Sequence, residues 1–413
     1  MLHGRMSSSR YPELMSPIES SKLVASSPPD PLSGSDMTYW SLSRDMTFLN
    51  HGSFGARPKD IVQAQLDLKR RLDDDPADIL WVRGESLLEE ATAQLAGFLQ
   101  VSPDDLVSVV NATQAVNAVA RALDLQPGQN IIATNHGYNA VNQTLRYVAE
   151  RVGATLRLID LEQSLSDEAV LIEAFESAMD DQTALVMLDH VSSPTALLFP
   201  VHEIVRRCRE RGIRIMVDGA HAPGMLDLDI TSIGADFYTG NLHKWVSAPL
   251  GAAFLHVRPE HHAAVHPASI SHYLGEGFQK EFSWTGTCDP SSYLTAPAAI
   301  AWFAERFGWS SVREHNCQLV AWATGRLCDA WSVDPLDVPE ASRLTSMRTI
   351  ELPPRLRNHF DVVEDWRHWL RDEHAFDVAV HDWGGRWWIR LSAHVYNRPE
   401  EYERLIKVGL KGY

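Results

Sequence analysis

The amino-acid sequence predicts an α/β fold: a large domain with a mainly parallel sheet covered by helices, joined to a small C-terminal α+β domain. Three observations predict it. Short apolar runs recur with helical patterns between them, the runs are continuous rather than alternating, and the pattern changes after about residue 295. A strand buried on both faces reads as a continuous apolar run, and strand–helix alternation is what parallel strands with crossover helices require.

Residues 1–36, rich in Ser and Pro ("SSPPDPLSGSD"), read as a flexible tail. Order is expected from "YWSLSRDMTFLNHGSFG", with residues 37–60 contributing to the small domain and the active-site entrance. Amphipathic helix patterns follow at 58–73 and 84–99, and "DLVSVV" reads as a strand ending at "NATQ". Further strands are expected at "NIIAT", "ATLRLI", "ALVMLDHV", "IRIMVDGA" and "GAAFLHV", separated by helices at 139–152, 166–180 and 201–212. The large domain spans 37–295. A connecting helix (296–331) then leads into "SMRTIEL", a helix at 361–373, "FDVAV", "RWWIRLSA" and a helix at 398–410, so that 296–413 carry the small domain.

The 413-residue chain has 45% hydrophobic and 22% charged residues and a net charge of −17. That composition is globular, and the acidic balance disfavours nucleic acid and anionic membranes as partners. Cys208, Cys288, Cys317 and Cys328 show no zinc-like or C-x-x-C spacing, so no metal site is expected and a reducing cytoplasm is.

Ligands of parallel sheets bind beyond the carboxyl ends of the strands. After "LVSVV" comes "NATQAVNAVARAL", a turn and helix start that could seat a phosphate, although Thr at such a position is more often a plain cap. After "IRIMV" comes "DGAHAPG", where Asp218 closes an apolar strand, a costly position for an acid without a cation. Lys244 stands in "TGNLHKWVSAPLG", among small, aromatic and apolar residues; desolvated, it can form a Schiff base with an aldehyde. Phosphate seat, buried acid and isolated lysine together meet the needs of pyridoxal 5′-phosphate.

The segments "FLNHGSFG", "HVSSPTALLFP", "VDGAHAPGMLDLDI", "YTGNLHKW", "GTCDPSSYLTAPAAI" and "IRLSAHVYN" resemble the blocks of class V aminotransferase-fold enzymes, specifically the isopenicillin N epimerase-like branch. The resemblance runs from about residue 46 to 408 and implies the fold type I of pyridoxal phosphate enzymes. By it Lys244 would anchor the cofactor and shuttle the Cα proton, Asp218 would pair with the pyridine nitrogen, and His221 would sit near the ring hydroxyl. Ala112 and Thr113 would hold the phosphate with help from Asn241 and His243, and Ser193 would join the cofactor shell. Thr287 would reach the phosphate of a partner subunit in a homodimer. His136 or Tyr138 would stack on the ring, with His136 favoured. Arg390 would clamp the substrate carboxylate, a task that suits a guanidinium, while Asn50 and His51 would line the pocket entrance.

Three positions depart from that pattern: Asn241 where relatives have serine, Ala196 for a frequent glycine, and Cys288 for an arginine. Cys288 is read as a passive small residue. Segment 344–390 has no cysteine, which argues against persulfide chemistry. What remains is C–S β-elimination or decarboxylation-coupled deamination of a bulky amino acid, an S-substituted cysteine by preference, in secondary metabolism such as antibiotic biosynthesis. An epimerase comes second and an aminotransferase third. A nicotinamide dehydrogenase would need G-x-G-x-x-G where "NATQAV" stands. A non-catalytic relative would be expected to lose Lys244 or Asp218. The aromatics of "WVRG" (81–84) and "HDWGGRWW" (381–388) suit either a roomy pocket or the core, with the core favoured for Trp383, Trp387 and Trp388.

Overall fold

A computed structural model describes residues 27–161 and 165–411. Its central sheet has seven strands: β2 (Leu106–Val109), β3 (Asn130–Thr134), β4 (Thr155–Ile159), β5 (Thr183–Asp189), β6 (Arg214–Asp218), β7 (Phe237–Asn241) and β8 (Ala253–Val257), in the spatial order β2-β8-β7-β6-β5-β3-β4. Neighbours are parallel from β4 through β7, and β8 is antiparallel to both β7 and β2, so only β8 opposes the others. The continuous apolar runs have the expected cause: every residue of β3, β5, β7 and β8 is buried. At the sheet edge β4 is largely exposed, so "ATLRLI" is a one-sided strand rather than one covered on both faces.

Helices α1 (Lys59–Asp74), α2 (Gly84–Leu99), α3 (Ala112–Ala122), α4 (Asn139–Arg151), α5 (Glu168–Ala178) and α6 (Val201–Glu210) occupy the expected stretches. The helix expected as one piece over 296–331 is two, α7 (Ser291–Arg306) and α8 (Trp309–Trp331), broken at Gly308, whose φ of +73° no helix accommodates. Among the described residues no helix is long and apolar enough to cross a membrane.

The C-terminal unit holds a three-stranded antiparallel sheet, β11 (Ala379–Trp383), β12 (Arg386–Ser392) and β9 (Met347–Glu351), with α9 (Val363–His374) and α10 (Pro399–Lys411). "FDVAV" is not one strand: β10 (Phe376–Asp377) pairs in parallel with β1 (Thr47–Phe48), and β11 begins after Val378. The small sheet has two buried faces. Val380, Trp387, Ile389 and Leu391 pack in the small unit's own core, whereas Met347, Trp383 and Trp388 pack against the core of the large unit.

The tail expected over 1–36 lies, for residues 1–26, outside the described residues. For the rest it is too long: Ser35 is buried, its hydroxyl accepts a bond from Arg398, Arg306 donates to the Gly34 carbonyl, and Leu32 packs beside an aromatic cluster around Trp40.

Candidate active site

Because β2, β3, β5, β6 and β7 share one direction, their carboxyl ends deliver Ala112 and Thr113, His136, Asp189 to Ser193, Asp218, and Asn241 to Lys244 to a single edge of the sheet. From the opposite side the small sheet brings Arg390, and the segment after β1 brings Asn50 and His51.

Lys244 is partly exposed, and its Nζ lies 3.1 Å from His221 Nε2. Desolvation by its surroundings and the nearby charge of Arg390 push its ammonium down to about 7, against the opposing pull of Asp218 and Asp189. The indole N–H of Trp245 donates to His221 Nδ1 at 3.4 Å. An indole can only donate, so the His221 proton sits on Nε2, and the lysine meets it as a neutral amine acting as acceptor. Burial, the first cause, holds His221 well below its ordinary pKa, in agreement with that neutral form.

The backbone of Lys244 is held separately. His51 Nε2 donates to the Lys244 carbonyl at 3.1 Å, and His51 Nδ1 meets Tyr396 Oη at 3.1 Å. A Cβ on Gly55 would stand 2.1 Å from the same carbonyl oxygen, so only glycine admits this approach. His51 is fully buried. Its expected place at the pocket entrance is therefore corrected: it stands behind the lysine, with both ring nitrogens engaged.

Asp218 ends β6 beside Asp189 at the end of β5, with the two in register. Burial raises the pKa of both, and the charge of Asp218 raises Asp189 further. Among the described residues neither forms an ion pair, and Asp218 Oδ1 accepts only the Ala220 N–H, at 2.9 Å. A buried acid without a cation is costly. A protonated ring nitrogen would supply one. The Gly219 of "DGAHAPG" admits Tyr238, whose hydroxyl lies 2.3 Å from where a Cβ would be.

At the mouth of α3, Asn111 caps the helix by accepting the Gln114 N–H at 2.8 Å. Asn241 Oδ1 accepts the Ala112 N–H at 2.9 Å, which leaves its amide nitrogen as the donor toward the site. The residue standing in for serine thus also ties the two strand ends together. His243 donates from Nδ1 to the Ala252 carbonyl at 3.2 Å, and burial lowers its pKa to about 4.

His136 is fully buried and bonded through Nδ1 to Thr195 Oγ1 at 2.7 Å, while Tyr138 is 49% exposed on the surface. His136 Nε2 is buried without a partner among the described residues, and burial takes the ring's pKa to about 3. Thr195 also bonds Ser192 and precedes Ala196, which adopts φ +56°, a left-handed conformation that glycine takes without strain.

Arg390 is fully buried and among the described residues meets only uncharged acceptors: the carbonyl and hydroxyl of Ser193, Asn50 Oδ1 at 3.4 Å and Ser53 Oγ at 2.9 Å. No carboxylate pairs with it among the described residues, and its Nε has no partner. Burial pulls its pKa to about 10. A buried guanidinium held in neutral hydrogen bonds is a seat for an anion. Asn50 is also buried and donates to Asp377 Oδ1 at 2.9 Å, so it orients Arg390 from behind and does not line an entrance.

Thr287 is not brought to this site within the chain; it lies exposed on the loop before α7, next to exposed Cys288. Asp189, Thr195 and the His51–Tyr396 tether went unread in the sequence, and Trp383, read there as core in preference to pocket, packs against His136 with ring centroids 4.4 Å apart. Each acts through a partner distant along the chain, and only register and packing reveal them. A cavity of about 640 Å³ elsewhere, beside α2 and Phe278–Phe282, touches none of the expected site residues.

A neutral lysine, two unpaired buried acids, an orphaned buried imidazole and a capped helix mouth fit a phosphorylated aromatic aldehyde. Fold and site together define an enzyme that works on amino acids through such a cofactor. The chain belongs to the aminotransferase class-V family, whose model matches residues 81–405, and its cofactor is pyridoxal 5′-phosphate. It is 31% identical to an isopenicillin N epimerase of Amycolatopsis lactamdurans, with 88% of this chain and 94% of that protein covered. It is also 31% identical to a putative L-cysteine desulfhydrase of Oryza sativa subsp. japonica, with 86% and 81% covered. In fold it is similar to the cystine C–S lyase C-DES, solved with its reaction product cysteine persulfide, at a TM-score of 0.75 and 21% identity over 89% of this chain and 98% of that one. It is therefore a pyridoxal phosphate-dependent enzyme of the lyase or epimerase type.

Proposed function

We propose that the enzyme cleaves the Cβ–S bond of a bulky S-substituted cysteine, releasing a thiol, and that it serves secondary metabolism. The observation that carries this reading is Lys244, whose Nζ lies 3.1 Å from His221 and whose ammonium is lowered to about 7 by burial and the charge of Arg390, so that a large share of it is free amine at neutral pH. Arg390 would hold the α-carboxylate, and neutral Lys244, once displaced from the cofactor, would take the Cα proton. Asp218 would keep the ring nitrogen charged, Thr113, Asn241 and His243 would hold the phosphate, and His136 would cover the ring. The cofactor, when bound, supplies the electron sink that makes the Cα proton acidic. His51, Tyr396 and Gly55 fix where that proton is received.

Elimination needs no thiol in the site: among the described residues Cys208 and Cys317 are core residues, Cys328 is half-buried and Cys288 is exposed beside Thr287. The relatives named as L-cysteine desulfhydrases support carbon–sulfur cleavage, and those named as isopenicillin N epimerases support a place in secondary metabolism. A homodimer is part of this reading. Exposed Thr287 and Cys288, beside exposed Trp81 and Val82, offer a surface for a second copy. Four unpaired thiols suit a cytoplasmic setting.

Mass spectrometry after incubation of the cofactor-loaded protein with S-benzylcysteine in deuterated water tests the reaction. Thiol with pyruvate is the expected outcome. Carbon dioxide with an aldehyde, or intact substrate carrying deuterium at Cα, would replace it by the decarboxylating or epimerising reaction. Light scattering tests the dimer.

A further inference from the structure

The face of the small sheet that meets the large unit carries more than the carboxylate clamp. In the β11–β12 ladder Arg390 is opposite Ala379, Trp388 opposite His381, and Arg386 opposite Trp383. Side chains alternate along a strand. His381 and Trp383 therefore share a face with Trp388 and Arg390, while Val380, Trp387 and Ile389 fill the small core behind. Trp383 packs edge-on against His136, with ring centroids 4.4 Å apart, so this face roofs the site.

Three nitrogen atoms on the roof lack partners among the described residues. His381 Nε2 and Trp383 Nε1 are buried and unbonded among the described residues, as is the Nε of neighbouring Arg390. Trp388, by contrast, satisfies its indole by donating to the Trp383 carbonyl at 3.0 Å. A buried polar atom left without a hydrogen bond costs free energy, and such atoms in a binding cleft mark where a ligand makes the bond. Desolvation and the charge of Arg390 lower the pKa of His381 to about 3, so its imidazole is neutral, and the same charge cluster acts on His221.

Building on the C–S lyase reading, we propose that His381 and Trp383 form a substrate subsite that donates hydrogen bonds to an uncharged oxygen on the S-substituent of the substrate. Trp383 Nε1 can only donate, neutral His381 donates from Nε2 in the tautomer that protonates it, and the α-carboxylate would engage Arg390, while Arg367, whose charge also reaches His381, is exposed to solvent. A second carboxylate would enter a desolvated subsite with only the solvent-screened charge of Arg367 to offset it. A purely apolar substituent would leave the two donors unpaired, and sites built to hydrogen-bond discriminate strongly against ligands that lack the bond.

Three nearly isosteric substrates separate the possibilities: S-(carbamoylmethyl)cysteine, S-(carboxymethyl)cysteine and S-propylcysteine. The cofactor-loaded enzyme is expected to favour the first over each of the others by about 10- to 100-fold in kcat/KM, as one or two neutral hydrogen bonds supply. His381→Phe and Trp383→Phe, made separately, are expected to remove most of that preference while the reaction with S-propylcysteine persists. His381→Gln, which returns an amide donor near the Nε2 position, is expected to restore it. Calorimetric affinities for the carba-analogues, with CH2 in place of sulfur, report the same ranking without turnover. Equal kcat/KM for the three substrates, or an undiminished preference in both phenylalanine variants, would overturn the subsite. If no thiol appears from any substrate, the lyase reading falls, and the carba-analogue ranking alone then decides the subsite, equal affinities counting against it.

Discussion

Lys244→Met in the cofactor-free protein removes the charge of the lysine while keeping an unbranched side chain. The lysine ammonium lies at about 7 in the folded chain against its ordinary 10.5. Below pH 7 the group is charged in both states, and folding bears the full desolvation cost; a lowering of that size corresponds to about 5 kcal/mol. Between pH 7 and 10.5 the unfolded chain binds the extra proton, so stability rises with pH over this window. From pH 6 to pH 9 the relief is about 3 kcal/mol, reduced to about 2 kcal/mol by the partial exposure of the side chain. Urea unfolding at the two pH values measures it, because titrations common to both proteins cancel in the difference. The variant is expected to be the more stable protein at pH 6, with its lead shrinking by about 2 kcal/mol at pH 9. A lead that stays constant or grows with pH would refute a neutral Lys244.

Three further outcomes are expected. Arg390→Ala raises KM for the amino acid by about 100-fold or more, since a charge-assisted bond contributes about 2–3 kcal/mol, and steady-state kinetics against substrate concentration reads it. Ala196→Gly relieves left-handed backbone strain and stabilises the protein by about 1 kcal/mol, read as a shifted urea midpoint. Gly55→Ala forces the Lys244 carbonyl away and destabilises by more than about 2 kcal/mol, with weakened cofactor retention on dialysis.

Much of the fold was legible because continuous apolar runs such as "NIIAT" and "ALVMLDHV" have one physical explanation, a strand buried on both faces. Helical periodicity is silent about Gly308, so the break between α7 and α8 did not show. "FDVAV" carried one apolar signal for two strands whose partners, β1 and β12, lie in different sheets. At the site, Lys244 and Arg390 stood out as charges among apolar neighbours. Asp189 was hidden inside its apolar run and gains meaning only from its register with Asp218. The role of His51 depends on a contact across 193 residues of chain, which no local pattern contains.

The central claim is that Lys244 is the covalent seat of the cofactor. Borohydride reduction of the cofactor-loaded protein, followed by peptide mass mapping, tests it directly. The account expects the pyridoxyl mass on the peptide that contains Lys244, and its loss in Lys244→Ala. A pyridoxyl group fixed to a different lysine, or retained in that variant, would contradict it.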